Sequence, residues 1–251
     1  MLISKQQNSK LANLMQIEVC IENLQEAELA NLYSVNRIEV CSALDLGGLT
    51  PSYGLIKACS RLSNVESHIL IRPRAGNFIY TSKEIILMKE DIRKAAEAGA
   101  NGVVFGCLNK KNEIDFDSCE LLVRLANGYQ LTSTFHRAID FSTNYNQSFE
   151  TIIELGFNRI LTSGTSTSAF GGIGEIKTLT AKNNSRIEIM AGGGISIENV
   201  SAFQGIGLDA IHFSIRKKND TNNLLSMGFS SDADEEKLKK IIQKIKDNEK
   251  Y

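Results

Sequence analysis

Acidic and thiol side chains alternate with aliphatic ones in two short apolar runs near the start of the sequence. One run carries Glu18 and Cys20, and a later run carries Glu39 and Cys41. Because side chains alternate between the two faces of a strand, each glutamate shares a face with the cysteine that follows it. Carboxylates can move protons and thiolates can hold soft metal ions, so both kinds of chemistry are candidates here.

The three histidines of the protein follow the same pattern. His68, His136 and His212 each lie on the polar face of a run whose other face is aliphatic or aromatic. Imidazoles such as His136 and His212 exchange protons near neutral pH. Glu18 and Glu39 would act as bases if burial raised their pKa. We therefore predict Glu18, Glu39, His136 and His212 as catalytic residues.

Arginines and glycines suited to an anion follow several of the later runs. Guanidinium groups pair with carboxylates and phosphates, and glycines let the backbone approach a bound group closely. The triple glycine at Gly192–Gly194, followed by a predicted helix, is typical of the anion-binding loops of many barrels. The predicted ligand-binding residues are Arg72, Arg74, Arg137, Asp140, Ser163, Gly192, Gly193, Gly194 and Ser214.

Eight β-branched runs alternate with amphipathic segments, such as the helices predicted over Ser82–Ala98 and Asp232–Asn248. The predicted strands are Met15–Cys20, Arg37–Cys41, Glu66–Ile71, Gly102–Gly106, Leu131–His136, Asn158–Thr162, Arg186–Met190 and Asp209–Ser214. Eight strand–helix units with right-handed crossovers close into an α/β fold, a single (β/α)₈ TIM barrel. An open doubly wound sheet is the alternative. We predict one barrel domain over residues 14–251 and an N-terminal extension over residues 1–13.

The outer face of such a barrel must pack against the helices, so the aliphatic side chains belong outside and the polar ones face the lumen. Ordinary barrel interiors are filled by Val, Ile and Leu, and an unpaired buried charge is costly. A polar lumen therefore favours a ligand site. The alternative is a purely structural network in which Glu18, Glu39 and Glu188 pair with Arg72 and Arg74.

Composition gives no sign of a nucleic-acid or membrane partner. The net charge is −1 over 251 residues, without a basic block. No run approaches the roughly 18 apolar residues that span a bilayer. Five cysteines without CxxC spacing indicate reduced thiols and a cytoplasmic location. Cys59 and Cys119 are predicted to lie in the core, and Cys107 receives no role.

Taken together, these motifs resemble the CutC family of copper homeostasis proteins. The motifs are Glu18–Cys20, Arg37–Cys41, Gly47–Ser52, Ile71–Arg74 with Gly76, Phe78 and Tyr80, Thr134–Ala138 with Asp140, Ile160–Gly164 and Gly192–Ile195. The resemblance runs from about Gln16 to about Arg216. It implies a (β/α)₈ barrel, a cytoplasmic homo-oligomer (dimer or tetramer), and a part in copper tolerance. It also implies Cu(I) binding near the barrel mouth, and Cys20 and Cys41 stand at the positions of the family's candidate copper thiols.

Two functions remain open on the sequence. Soft thiolates suit Cu(I), and Cys20 and Cys41 end neighbouring strands, with Met190, His136 or His212 as a third ligand. Alternatively, the lumen belongs to an enzyme, a lyase or isomerase that acts on a small anionic metabolite, for example a phosphorylated one. No organic cofactor is indicated, and the lack of lysine on the predicted strands disfavours Schiff-base chemistry.

Overall fold

Eight parallel strands form a closed barrel in sequential order, in a computed structural model that describes residues 15–218 and 231–248. The (β/α)₈ prediction is confirmed, and the open sheet is excluded. The strands are β1 (Gln16–Ile21), β2 (Arg37–Val40), β3 (Glu66–Leu70), β4 (Gly102–Phe105), β5 (Thr132–Phe135), β6 (Arg159–Thr162), β7 (Glu188–Gly192) and β8 (Ala210–Ser214). The extension proposed for residues 1–13 lies outside the described residues.

The described helices connect the strands. They are α1 (Leu24–Leu32), α2 (Tyr53–Cys59), α3 (Ser82–Ala98), α4 (Phe116–Gly128), α5 (Tyr145–Glu154), α6 (Ile173–Asn183) and α7 (Glu235–Asn248), with 3₁₀ turns at Leu44–Leu46, Arg137–Phe141 and Val200–Phe203. Helix α3 has the predicted bounds because Thr81 and Glu84 form a capping box and Gly99 ends it in a left-handed conformation. No helix in the described ranges has the length and apolar character needed to cross a bilayer.

The last helix begins later than predicted. Residues Ser231–Ala233 form a short strand, β10, that pairs antiparallel with β9 (Arg216–Lys218) directly after the barrel closes. Helix α7 starts at Glu235 because the Asp234 carboxylate accepts a hydrogen bond from the Lys237 backbone N–H (2.9 Å) and so satisfies a free donor of the first turn.

Apolar side chains separate into an outer shell and two small clusters inside the barrel. The outer shell includes Val40, Ile69 and Val103, which alternate along their strands with the inner cluster of Cys41, Leu70 and Val104. The second inner cluster consists of Leu161, Met190 and Ala210. The predicted alternation, with aliphatic residues outward, is therefore present. Cys59 and Cys119 lie in the outer shell, as predicted.

Glu18 and Glu188 pair with different arginines from those of the structural alternative. The Glu18 carboxylate accepts a hydrogen bond from Arg37 Nε (3.0 Å), and the Glu188 carboxylate accepts one from Arg159 Nε (2.6 Å). Each pair lies directly opposite in the strand register. The pairing with Arg72 and Arg74 is wrong because both arginines follow β3 and lie beyond the end of that strand.

Each histidine of the lumen packs against a glycine on the neighbouring strand or just beyond its end. A Cβ atom on any of these glycines would lie between 2.8 and 3.2 Å from the imidazole ring. The pairs are Gly102 with His68, Gly106 with His136 and Gly192 with His212. Because glycine has no side chain, these three positions leave the space that the buried imidazole rings require inside the barrel.

We expect Gly102→Ala to destabilise the barrel by about 1–3 kcal/mol, because overpacking forces strain on a filled interior. The new methyl group would lie 2.8 Å from the His68 ring and 2.5 Å from Thr132 Oγ1. Urea unfolding measures the loss. Gly174→Ala in α6 is the matched control, since nothing lies within 4 Å of its added carbon. Equal stability of the two variants would contradict close packing around His68.

Candidate metal and anion site at the barrel mouth

A cavity of about 320 Å³ lies where the carboxyl ends of the barrel strands meet. The predicted site residues that line it are Cys20, Glu39, Arg72, His136, Arg137, Gly193, Gly194, His212 and Ser214. The predicted residues Glu18, Cys41, Arg74, Asp140, Ser163 and Gly192 are not part of the lining. The structure thus brings nine of the predicted residues together around one space and leaves the other six outside its lining.

Glu18 holds His212 in a fixed orientation. It is fully buried, and its carboxylate bonds His212 Nδ1 (2.9 Å) on one side and Arg37 Nε (3.0 Å) on the other. Arg37 also donates to Gln16. With Nδ1 engaged, His212 turns Nε2 toward Glu39, whose carboxylate oxygen lies 3.6 Å away. The second nitrogen of the imidazole therefore faces the Glu39 carboxylate.

Cys20, Glu39 and His212 form a candidate metal centre. Their ligand atoms, one sulfur, one oxygen and one nitrogen, all lie within 4.8 Å of one another, and all three residues are buried. A carboxylate that bonds the far nitrogen of a histidine ligand is the usual outer support of a metal site, and Glu18 provides it here. Cys41 lies beside this cluster, with its sulfur 3.5 Å from the Glu39 carboxylate.

Burial and neighbouring charges shift the pKa values of Glu18, Glu39 and His212 in different directions. Burial alone would raise the pKa of Glu18, but the hydrogen bond and charge of His212, together with Arg37, hold it well below its usual range. Burial would lower the pKa of His212, but Cys20, Glu18 and Glu39 raise it instead. Burial raises the pKa of Glu39. Of the two glutamates, Glu39 therefore takes up a proton more readily, whereas the surroundings of Glu18 favour its charged form.

His136 is a neutral hydrogen-bond donor. Its Nδ1 accepts from the Ala138 backbone N–H (3.3 Å), which leaves the proton on Nε2. Burial and the Arg72 charge lower its pKa to about 3. Its Nε2 has no hydrogen-bond partner within residues 15–218 and 231–248. The two rings therefore shift in opposite directions, with the pKa of His136 lowered and that of His212 raised, and their roles as catalytic proton carriers stay predictions.

Arg72 is a buried cation that contacts carbonyl oxygens rather than carboxylates. Its Nη atoms donate to the carbonyl groups of Leu46 (3.1 Å), Gly48 (2.8 Å) and Gly76 (2.8 Å). Within the described part of the chain it forms no ion pair, and its Nε has no partner. By contrast, Arg74 pairs with Glu84 at the start of α3 and lies outside the cavity.

Comparison with known proteins decides the family. The sequence model of the CutC family matches residues 15–217. The chain belongs to the CutC family. A CutC family protein of Glaesserella parasuis is 40% identical over 242 residues, which cover 92% of this chain and 99% of that protein. A CutC family protein of Vibrio atlanticus is 42% identical over 225 residues, 88% of this chain and 91% of its own length.

Comparison with solved structures also finds a CutC protein. The crystal structure of CutC from Streptococcus agalactiae, whose suggested role is copper homeostasis, has a TM-score of 0.74 and 35% identity and covers 79% of this chain and 98% of its own. Thiamine phosphate pyrophosphorylase from Pyrococcus furiosus has a TM-score of 0.59 at 13% identity, with 94% of this chain and 97% of its own covered. The second likeness shows the barrel fold alone.

In this CutC-family barrel, Asp140 and Ser163 position Arg137 at the cavity. Arg137 donates from Nε to Asp140 (3.0 Å) and from Nη2 to Ser163 Oγ (2.7 Å). Asp140 also accepts from the Ser163 backbone N–H (2.9 Å), which ties the end of β6 to the turn at Arg137–Phe141. Gly193, with a φ of +110°, lets the guanidinium pass, because a Cβ there would lie 3.1 Å from it.

Lys237 and Phe78 are among the lining residues that received no role from the sequence. Lys237 reaches the mouth from α7 and donates to the Ser214 carbonyl (2.6 Å). Phe78 belongs to the CutC motif that follows β3, and its ring lies 4.7 Å from the His136 ring. Neither residue is on a barrel strand, so strand alternation could not find them. The family motif was the only signal for Phe78, and nothing marked Lys237.

We expect the His136 imidazole to stay neutral between about pH 5 and pH 8. The unfolded chain takes up a proton near the ordinary value of 6.5, but folded His136 resists protonation down to about pH 3. Its burial therefore contributes stability above about pH 6.5 that is lost as the pH falls toward 3. Imidazole carbon–proton NMR, assigned with His136→Gln, measures the titration. A midpoint between pH 6 and 7 for this ring would overturn the assignment of a neutral donor.

Proposed function

We propose that this protein binds copper as Cu(I) at the barrel mouth, with Cys20 and Cys41 as thiol ligands and His212 as a nitrogen ligand. Similarity to the CutC of Streptococcus agalactiae, whose suggested role is copper homeostasis, supports the same role here. Thiolates and imidazole suit Cu(I). The observation that carries the proposal is the Glu18–His212 hydrogen bond, which turns His212 Nε2 toward Cys20 and Glu39.

Glu39 would accept a proton when copper arrives. Metal binding requires a thiolate, and burial together with the Glu39 charge raises the pKa of Cys41 well above its usual range. The Cys41 sulfur lies 3.5 Å from the Glu39 carboxylate, which can take the proton that copper displaces. Protonation also removes the like charge beside the new thiolate.

We expect Cys20→Ser to weaken Cu(I) binding by more than about 100-fold, because it removes a ligand. Glu18→Gln should weaken it by about 10–100-fold, the usual effect of losing an outer partner. Competition against a Cu(I) chelator measures both, with thermal unfolding as a check on folding. Cys59→Ala, a core thiol on α2 away from the cavity, is the matched control. Unchanged affinity in a Cys20→Ser/Cys41→Ser double variant would end the copper proposal.

A second function is favoured by Arg72, the buried cation without an ion-pair partner in residues 15–218 and 231–248. We propose that the cavity also binds a small anionic metabolite, such as a phosphorylated one, for lyase or isomerase chemistry. Arg72 and Arg137 would balance its charge, and His136 Nε2 would donate to a developing oxyanion. Glu39, whose pKa burial raises, would act as the base.

We expect Arg72→Met to reduce the affinity for inorganic phosphate by at least about tenfold, since a charge-assisted hydrogen bond contributes roughly 1.5–3 kcal/mol. Calorimetric titration measures it. Arg74→Met is the control, because Arg74 flanks the same proline but lies outside the cavity. If both variants bind phosphate like the unaltered protein, Arg72 is not an anion receptor.

The cytoplasmic location and the homo-oligomeric state remain proposals that rest on the family resemblance. Light scattering on the purified protein would distinguish a dimer from a tetramer, and fractionation of cells would locate it.

A further inference from the structure

A second cavity of about 470 Å³ adjoins the first at the barrel mouth. We call the first the inner cavity and the second the outer cavity. They share four lining residues: Gly47, Arg72, Phe78 and Arg137. Small-molecule sites occupy roughly 300–1,000 Å³, so a ligand confined to the inner cavity would be among the smallest. The shared wall makes the two cavities neighbouring compartments of one site.

Aromatic rings connect the two compartments. The Phe78 ring lies 4.7 Å from the His136 ring on the inner side and 5.6 Å from the Phe141 ring on the outer side. The Arg72 guanidinium lies 5.1 Å from the centroid of the same Phe78 ring. Phe78 therefore contacts His136 and the buried Arg72 cation on one side and Phe141 on the other. In the described part of the chain, His136 Nε2 has no hydrogen-bond partner.

Phe141 is 61% exposed although it is a large apolar side chain. It ends the 3₁₀ turn that also carries Arg137 and Asp140, so one short segment supplies an arginine to the inner cavity and a phenyl ring to the outer one. Burying such a ring fully contributes about 1.5–3 kcal/mol. The folded chain leaves much of this apolar surface in contact with solvent beside a concave site, where a ligand would cover it.

The outer cavity also contains polar groups suited to a ring with heteroatoms. Asn77 and Asn112 line it together with Leu108. Flat rings gain from stacking on phenylalanine, with about 0.5–1.5 kcal/mol beyond the buried area. The inner compartment is rich in positive charge and hydrogen-bond donors, whereas the outer one is aromatic with amide groups at its edge.

We infer that the site takes a two-part ligand: an anionic group bound by Arg72, Arg137 and His136 in the inner cavity, and a planar ring seated against Phe78 and Phe141 in the outer cavity. The inference rests on the proposed binding of a small anion and adds the chemical class of what that anion is attached to. The anion is a phosphate monoester or a carboxylate, since either satisfies the same donors.

Paired probes with and without a ring test this inference. Inorganic phosphate is compared with phenyl phosphate, and acetate with phenylacetate, by calorimetric titration of the full chain. We expect the ringed member of at least one pair to bind at least tenfold more tightly, and the stronger pair identifies the anion. Phe141→Ala should remove most of this gain and leave the affinity for the ringless probe within twofold.

Phe170→Ala is the matched control, because Phe170 is 53% exposed and lines neither cavity. Equal affinities within both pairs, or equal losses in the two phenylalanine variants, would overturn the two-part ligand while the anion site stands. Failure of all four probes to bind would overturn the anion site and this inference with it. A changed oligomeric state of Phe141→Ala with unaltered probe binding would assign Phe141 to a contact between copies and overturn the inference.

Discussion

The buried carboxylate of Glu18 is the constraint on which the rest of the barrel depends. A charge in a closed lumen must be paired, and loss of one partner of a buried pair costs about 3–5 kcal/mol. Strand β1 lies between β2 and β8, and the register places Glu18 opposite both Arg37 and His212. A shift of one residue would turn Glu18 toward the helices. The interaction that fixes the closing strands is therefore also the one that directs His212 Nε2 into the cavity.

The buried arginines at the two ends of the barrel differ in whether a carboxylate pairs with them. Arg37 and Arg159 lie at the amino ends of their strands and are each neutralised by a glutamate on a neighbouring strand. Arg72 lies past the opposite end, where backbone carbonyls accept hydrogen bonds from its Nη atoms. Within residues 15–218 and 231–248 its Nε has no partner, and no carboxylate forms an ion pair with it. Ion pairs between neighbouring strands stabilise the barrel, whereas an arginine without a carboxylate partner beside a cavity favours the binding of an anionic ligand. The polar lumen is thus partly a structural network and partly a candidate site.

Alternation along the strands was enough to predict the barrel and the inward direction of Glu18, Glu39 and His212, because a period of two is a local property of the sequence. It could not identify their partners. Pairing depends on the stagger between strands, which brings Arg37 rather than Arg72 to Glu18. Lys237 reaches the mouth from α7, which follows β10 and whose start was predicted three residues too early. The alternation within a single strand cannot predict contacts of this kind between residues far apart in the sequence.

His136 and His212 show why residue type alone could not assign the chemistry. Both rings are buried in one lumen against a strand-end glycine, yet their pKa values move in opposite directions. His136 has the Arg72 cation as its charged neighbour and accepts a backbone N–H, so it stays neutral and can donate from Nε2. His212 lies between two glutamates, which favour its charged form and leave Nε2 facing a thiol. The proposed copper ion would compete with the proton of His212 but not with that of His136. The proposed copper site would therefore lie on the His212 side of the cavity and the proposed anion site on the His136 side.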